Sequence, residues 1–256
     1  MPETGATACI INHTHWDREW FATSEYTSRW IAPLIDNLER LVERNPDYRF
    51  FFDGQTLFIA DLLGLDPSYE ARLRALLQRA ALAAGPYYCQ PDWRLTCGES
   101  LLRNLQFGRK DVERFAVSHT KVGWMVDCFG HISQAPQIHR LFGIDRVYIW
   151  RGVPILEPYF EWRSPDADSV IAIHLLGGYR NLYGVTRFPE MAVVRLTAEL
   201  ARLVTYYPDR EVPLFDGYDL DRDPEDPGTF FSVYREQLAA LGIRIGVNYV
   251  VYAMTH

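Results

Sequence analysis

The apolar run Ala8-Cys9-Ile10-Ile11 leads almost directly into His13-Thr14-His15-Trp16-Asp17-Arg18-Glu19-Trp20, and this junction constrains the chain more than any other stretch. A run this short and this apolar reads as a buried strand, taken here as Ala6–Asn12. Side chains alternate along an extended segment, so His13, His15 and Asp17 share one side where the strand ends. Imidazole and carboxylate together at that place are the donors that hold a borderline divalent metal such as zinc. A single His there would read as a hydrogen-bonding strand end; the cluster reads as a metal or catalytic site.

The rest of the chain alternates short apolar runs with amphipathic stretches. Strands are expected at Tyr48–Phe52, Tyr87–Cys89, Val122–Val126, Arg146–Trp150, Val170–Leu176, Val212–Phe215 and Ile243–Val251. Helices are expected at Thr27–Asn45, Ser68–Ala84, Glu99–Phe115, Ala135–Leu141, Pro189–Val204 and Phe230–Leu241. Trp30, Ile31, Leu34, Ile35, Leu38, Leu41 and Val42 give the first of these its three-four spacing. Alternation of this kind implies parallel strands joined by crossover helices. The expected fold is α/β: one domain over residues 1–256, built as a curved parallel sheet or a barrel.

Composition narrows the function class. The 256 residues are 48% hydrophobic and 14% aromatic, ample for a large core, and the net charge of −7 argues against a nucleic-acid or anionic-membrane partner. No apolar run reaches the roughly 18 residues that a membrane helix needs. The polar N-terminus and four cysteines without C-x-x-C spacing read as a soluble, reduced, cytoplasmic protein. Cys9 and Cys128 flank the candidate site and are taken as space-filling.

Polar residues gather where the expected strands end. Asp53-Gly54-Gln55, Gln90 and Asp92, Asp127, Arg151, Gly177-Gly178-Tyr179, and Asp216 with Asp219 each follow one. In parallel α/β folds the carboxyl ends of the strands share an edge, and sites are built there. Each Asp alone would serve equally well as a turn or a helix cap. Jointly they point to one acidic, aromatic-walled cleft. Gly123-Trp124-Met125-Val126-Asp127-Cys128-Phe129-Gly130-His131 is the second strong constellation: a carboxylate leaves an apolar strand and meets an aromatic, a Gly and a His. An Asp beside a divalent cation stays ionised and serves as ligand, nucleophile or both, and a second acid as proton donor completes what glycoside hydrolysis requires.

The two stretches His13-Thr14-His15-Trp16-Asp17-Arg18-Glu19-Trp20 and Trp124-x-x-Asp127-x-Phe129-Gly130-His131 resemble the signature motifs of glycoside hydrolase family 38, the α-mannosidases. Asp53-Gly54-Gln55, Gly85–Asp92, Gly98–Leu105 and Phe215–Asp219 fit the bacterial branch. The resemblance runs from about Ile10 to about Pro227. It implies a zinc-dependent catalytic domain on a curved (β/α)7-like barrel. It implies His15, Asp17 and Asp127 as zinc ligands, with Asp127 also the nucleophile, and Asp219 as acid/base with Asp216 in reserve. It further implies substrate contacts from Trp20, Arg151, Tyr179 and Asp53, with His13 supporting the cluster. The implied reaction is retaining hydrolysis of an α-mannoside or oligosaccharide through a glycosyl-Asp intermediate, with the two carboxyl groups about 5–5.5 Å apart.

Family members continue into a helical segment and β-sandwich domains, and the later region supplies a fourth zinc ligand, a His. This chain is expected to lack those domains, and between His174 and His256 it contains no His. Completion of the cleft by a second copy or a complementing subunit follows as an expectation. Two other readings stand beside the mannosidase. One is a metal-dependent polysaccharide deacetylase, which would use His13 as a ligand; the other is a catalytically impaired carbohydrate-binding domain.

Overall fold

The computed structural model describes residues 5–117 and 120–247. Its strands are β1 (Ala6–Thr14), β2 (Phe50–Phe52), β3 (Leu82–Ala83), β4 (Val122–Met125), β5 (Arg146–Ile149), β6 (Tyr159–Arg163), β7 (Ser169–His174), β8 (Glu211–Asp216) and β9 (Ile243–Val247). Its helices are α1 (Ser24–Thr27), α2 (Ile31–Arg44), α3 (Leu57–Leu65), α4 (Tyr69–Gln78), α5 (Gly98–Glu113), α6 (Ala135–Leu141), α7 (Pro189–Leu203), α8 (Pro227–Ser232) and α9 (Arg235–Ala240).

β1 organises the barrel. It runs parallel to β8 from Thr7↔Glu211 to Asn12↔Asp216, to β9 along its first half, and to β2 at His13↔Phe51 and Thr14↔Phe52. β3 extends this sheet beyond β2. A second sheet has the order β4-β5-β7-β6, parallel except for β6, which returns antiparallel along β7. The two sheets face each other across Trp124, whose ring lies 5.0 Å from Phe51, 5.5 Å from Tyr148 and 5.8 Å from Phe215. Side chains of β1 alternate as a strand must: Ile11 enters this shared core, while Ala6, Ala8 and Ile10 pack outward with Leu196 and Leu200 of α7. This is the single α/β barrel with a parallel sheet that the motif order implies.

The helices close the outside. Ile31, Leu34, Ile35, Leu38 and Val42 of α2 form one buried stripe against Phe50 and Phe52, each worth about 1.5–3 kcal/mol when fully withdrawn from water. Gly108 lets α5 approach the 86–87 segment: a Cβ there would lie 2.3 Å from the Pro86 carbonyl oxygen. No helix among the described residues is long and apolar enough to cross a membrane.

Several expected elements shift. The Ala-rich stretch taken as helix Ser68–Ala84 stops at Gln78, and Ala80 turns the chain with φ of 52°. Leu82–Ala83 then pairs with Phe50–Phe51, because completing the sheet outweighs the helix propensity of alanine. The strand expected at Tyr87–Cys89 is only a bridge from Tyr87 to Gln55. Phe230–Leu241 divides into α8 and α9. Ile243–Val251 is a strand through Val247, and the remainder lies outside the described residues. α3 and β6 had no sequence expectation.

Candidate active site

His15 reaches the carboxyl edge because β1 ends one residue earlier, and a backbone clamp holds it there. Its N–H donates to the Tyr218 carbonyl at 3.1 Å, and its carbonyl accepts from Leu220 N–H at 2.7 Å. This parallel bridge sets His15 opposite Asp219. The close approach requires Gly217, where a Cβ would lie 2.1 Å from the His13 carbonyl oxygen. Thus the loop after β8 is pressed onto the end of β1, and two residues about two hundred positions apart share one edge.

Three side chains converge. Single ligand atoms of His15, Asp17 and Asp219 all lie within 4.8 Å of one another. Asp127 approaches the same imidazole: its Oδ2 is 3.6 Å from His15 Nε2, against 3.4 Å for Asp17 Oδ1. The group thus contains Asp219, which was expected as acid/base, while Asp127, which was expected as a ligand, borders it. The other oxygen of Asp127 accepts from Arg151 Nε. The Arg151 guanidinium lies over the rings of Phe129 and Trp150 at 5.0 and 4.5 Å.

Asp53 was expected to meet substrate, and its place is behind His15. It is 0% exposed. Oδ1 accepts from His15 Nδ1 at 3.0 Å and Trp124 Nε1 at 2.9 Å; Oδ2 accepts from Trp16 N–H at 3.0 Å and Gln55 Nε2 at 2.8 Å. Four donors fill this carboxylate, and its bond to Nδ1–H leaves His15 Nε2 as the nitrogen facing Asp17 and Asp127. The turn that puts Asp53 there is left-handed at two successive residues, Asp53 with φ 46° and Gly54 with φ 68°.

Tyr179, also expected in the cleft, is buried. Its hydroxyl donates to Asp219 Oδ1 at 2.8 Å, and its carbonyl accepts from His13 Nε2 at 2.5 Å. His13 is enclosed by Trp124, Tyr179 and Phe215, and burial lowers its pKa, so it is a neutral support for the cluster. Trp20 is 66% exposed and rests against Phe21 at the rim. Asp216 is buried away from this group. Phe215 takes the inward position on β8, and Asp216 Oδ1 accepts from Gly184 N–H at 3.1 Å on the other side. Burial, with Glu225 nearby, pushes its pKa up to about 8. Cys9 and Cys128 are free, and burial pushes both thiols up to about 12, which suits packing rather than chemistry.

The electrostatics call for a cation. Burial disfavours charge on His15, yet Asp53 and Asp17 outweigh it and hold the imidazole well above its ordinary pKa. A divalent ion satisfies the same field while leaving His15 neutral, and one imidazole with surrounding carboxylates is a donor set that zinc accepts.

Gln90, placed by the sequence at a strand end, donates its amide to the Asp53 carbonyl; sequence reasoning missed Asn181, whose Oδ1 accepts from Phe215 N–H at 2.7 Å. It also missed His139 of α6. There Nδ1–H donates to the Ala135 carbonyl, Nε2 accepts from Tyr87 OH at 2.6 Å, and that hydroxyl accepts from Trp124 N–H at 3.2 Å. The i to i−4 spacing of Ala135 and His139 was visible; the Tyr87 contact, across the fold, was not.

A parallel α/β barrel carrying a histidine–carboxylate cluster at its carboxyl edge defines a class in which hydrolases with a metal centre are frequent. Residues 5–240 match the sequence model of the glycosyl hydrolases family 38 N-terminal domain, and the chain belongs to that family. It is 37% identical over 190 residues to a putative mannosylglycerate hydrolase of Halalkalibacterium halodurans, an overlap of 68% of this chain and 21% of that protein. It is 31% identical over 208 residues to an α-mannosidase of Saccharomyces cerevisiae, 77% of this chain and 18% of that one. The crystal structure of an α-mannosidase from Enterococcus faecalis V583 superposes with a TM-score of 0.89 at 24% identity, over 96% of this chain and 28% of that chain. The chain thus spans about a fifth of the length of the curated relatives it matches.

Proposed function

We propose that this chain carries the catalytic groups of a zinc-dependent, retaining α-mannosidase. One observation supports the reading most: Asp127 is held by Arg151 through one oxygen and turns the other toward His15 Nε2, with Asp219 bridged to the same His15. That is a fixed carboxylate beside a cation-seeking imidazole, with a second carboxylate at hand, as two-carboxylate glycoside hydrolysis requires. Family membership and the likeness to α-mannosidases favour mannosides, and the likeness to a putative mannosylglycerate hydrolase adds small mannosides to the candidates.

In this reading His15, Asp17 and Asp127 hold zinc, with Asp219 near enough to join them. Bound there, zinc would grip vicinal sugar hydroxyls and favour distortion of the ring. Arg151 fixes the Asp127 carboxylate so that its free oxygen attacks the anomeric carbon as the glycosidic C–O bond breaks. Asp219 gives its proton to the departing oxygen and then takes one from the water that releases the sugar from Asp127. Proton transfer of this kind contributes about 10²–10⁴ in rate. Trp20 offers an open ring at the rim for a sugar face, and Tyr179 and Asp53 act from behind, holding Asp219 and His15. A deacetylase would need His13 as a ligand. Its Nε2 is spent on the Tyr179 carbonyl, which weighs against that reading.

The test is turnover of an aryl α-mannoside with added zinc, by this chain and by Asp127→Asn. Activity that vanishes in the variant, together with labelling of Asp127 by a mechanism-based fluorosugar, is the expected result. Equal rates in both, or acetate release from acetylated sugar polymers without labelling, would overturn it.

A further inference from the structure

Arg180 follows Tyr179 on the loop after β7, and its guanidinium is unusual among the charged groups of the site. Nη1 lies 3.9 Å from Asp219 Oδ2, close enough for attraction but too long for a hydrogen bond. Among the described residues no side-chain hydrogen bond engages it. Its guanidinium carbon lies over the Tyr218 ring at 5.0 Å, and Tyr218 is stacked on Tyr183 at 4.9 Å with the rings 26° apart. The side chain remains 47% exposed. The stacked tyrosines therefore support the guanidinium on one side and leave its donors open to solvent beside Asp219. Arg151 differs, because its Nε is already committed to Asp127.

Position gives this free fork a meaning. If Asp219 protonates the departing oxygen, whatever neighbours Asp219 neighbours the leaving group. A planar fork of unspent N–H donors is the arrangement that recognises a carboxylate with two parallel bonds. We propose that Arg180 binds a carboxylate on the leaving group, so that the preferred substrates are α-mannosides of small hydroxy acids rather than of neutral alcohols. This rests on the mannosidase reading and on Asp219 as its acid/base. Arg180 is then a specificity residue that touches the aglycone and takes no part in bond breaking.

The test compares the α-mannoside of glyceric acid with methyl α-mannoside, on the zinc-supplemented chain and on Arg180→Gln and Arg180→Lys. Two readouts are used: the ratio of kcat/KM for the acid to that for the methyl mannoside, and the same ratio of binding constants by calorimetry. Wild type should favour the acid. Arg180→Gln should cut the ratio by about 10–100-fold, the worth of hydrogen bonds between charged partners, and Arg180→Lys should recover part of it. A ratio near one in wild type, or an equal fall on both mannosides in Arg180→Gln, overturns the proposal, the latter by assigning Arg180 to Asp219 alone. Failure of both mannosides to bind or react would instead defeat the mannosidase reading, and this inference with it.

Discussion

Asp53 Oδ1 lies 3.0 Å from His15 Nδ1 and 2.9 Å from Trp124 Nε1, so one buried oxygen ties the imidazole at the end of β1 to the indole of β4. The contact joins the two sheets at the site. It also commits one ring nitrogen of His15 to Asp53 and aims the other at Asp17 and Asp127. A carboxylate behind a ligating His is a general means of fixing ring orientation and raising ligand basicity.

If His15 ligates zinc as proposed, Asp53→Asn should weaken zinc binding by about 10–100-fold while the chain still folds. The amide would turn donors toward some of the four donors that now meet a carboxylate, at a cost of about 1–3 kcal/mol. Competition with a chromophoric chelator reads the affinity, and thermal unfolding without metal reads the fold. Wild-type zinc affinity in a folded variant would remove Asp53 from its orienting role.

Gly217→Ala should detach Asp219 from His15. The added Cβ would lie 2.1 Å from the His13 carbonyl oxygen and 2.7 Å from the His13 ring, and neither can retreat within a paired strand and an aromatic cage. The loop must lift, which breaks the two backbone bonds to His15 at a cost of about 1–3 kcal/mol. Gly64 of α3 is the control, because a Cβ there meets nothing within 4 Å. Alanine at that helical position should stabilise by about 0.5–1 kcal/mol. Equal melting temperatures for wild type and Gly217→Ala would rule out the clash.

How much of this was legible follows from what a sequence pattern encodes. Short apolar runs placed β1, β4, β5, β7 and β8, and amphipathic stretches placed α2, α5 and α7, to within a few residues, because the strands lie in the core and each helix has one face to hide. α3 escaped notice since Leu57–Leu65 is apolar almost throughout and shows no stripe. β6 escaped because Tyr159–Arg163, an edge strand, has no fully buried residue; only Tyr159, Phe160 and Trp162 rest partly on the core. Asp53 was located at a strand end, but alternation cannot be carried across a turn with two positive φ values, so its facing was undetermined. Arg180 offered no pattern at all; its meaning comes from Asp219, Tyr218 and Tyr183 assembling around it.

His139 should make the fold sensitive to mild acid. Burial lowers its pKa from 6.5 to about 4, and the Ala135 carbonyl only partly offsets this. Between those values the unfolded chain binds a proton that the folded chain refuses. Its stabilising contribution is therefore complete above about pH 6.5 and is lost as pH falls toward 4, by about 1–3 kcal/mol. Urea midpoints at pH 7 and pH 5 measure the slope. His139→Gln keeps an acceptor for Tyr87 OH and cannot titrate, so it should be less stable at pH 7 but flatter over the interval. An unchanged slope would place the acid sensitivity elsewhere.

Asp216 and Asp219 lie three positions apart and should separate cleanly. Asp219 faces the cluster, so Asp219→Asn should lose activity on mannosides with poor leaving groups, keep more on activated aryl mannosides, and regain rate with azide, which needs no general base. Asp216 points to Gly184 on the other side of β8, and its raised pKa is a matter of fold stability. The sign is opposite to that of His139. The folded chain retains the proton on Asp216 that the unfolded chain releases near 3.8, so this contribution is complete below about pH 4 and is lost as pH rises toward 8. Asp216→Asn preserves an acceptor for Gly184 N–H and has nothing to ionise. It should gain about 5 kcal/mol relative to wild type on moving from pH 4 to pH 8, since each pKa unit is worth about 1.4 kcal/mol, read from denaturant midpoints. Azide rescue of Asp216→Asn, rather than of Asp219→Asn, would reverse the two assignments.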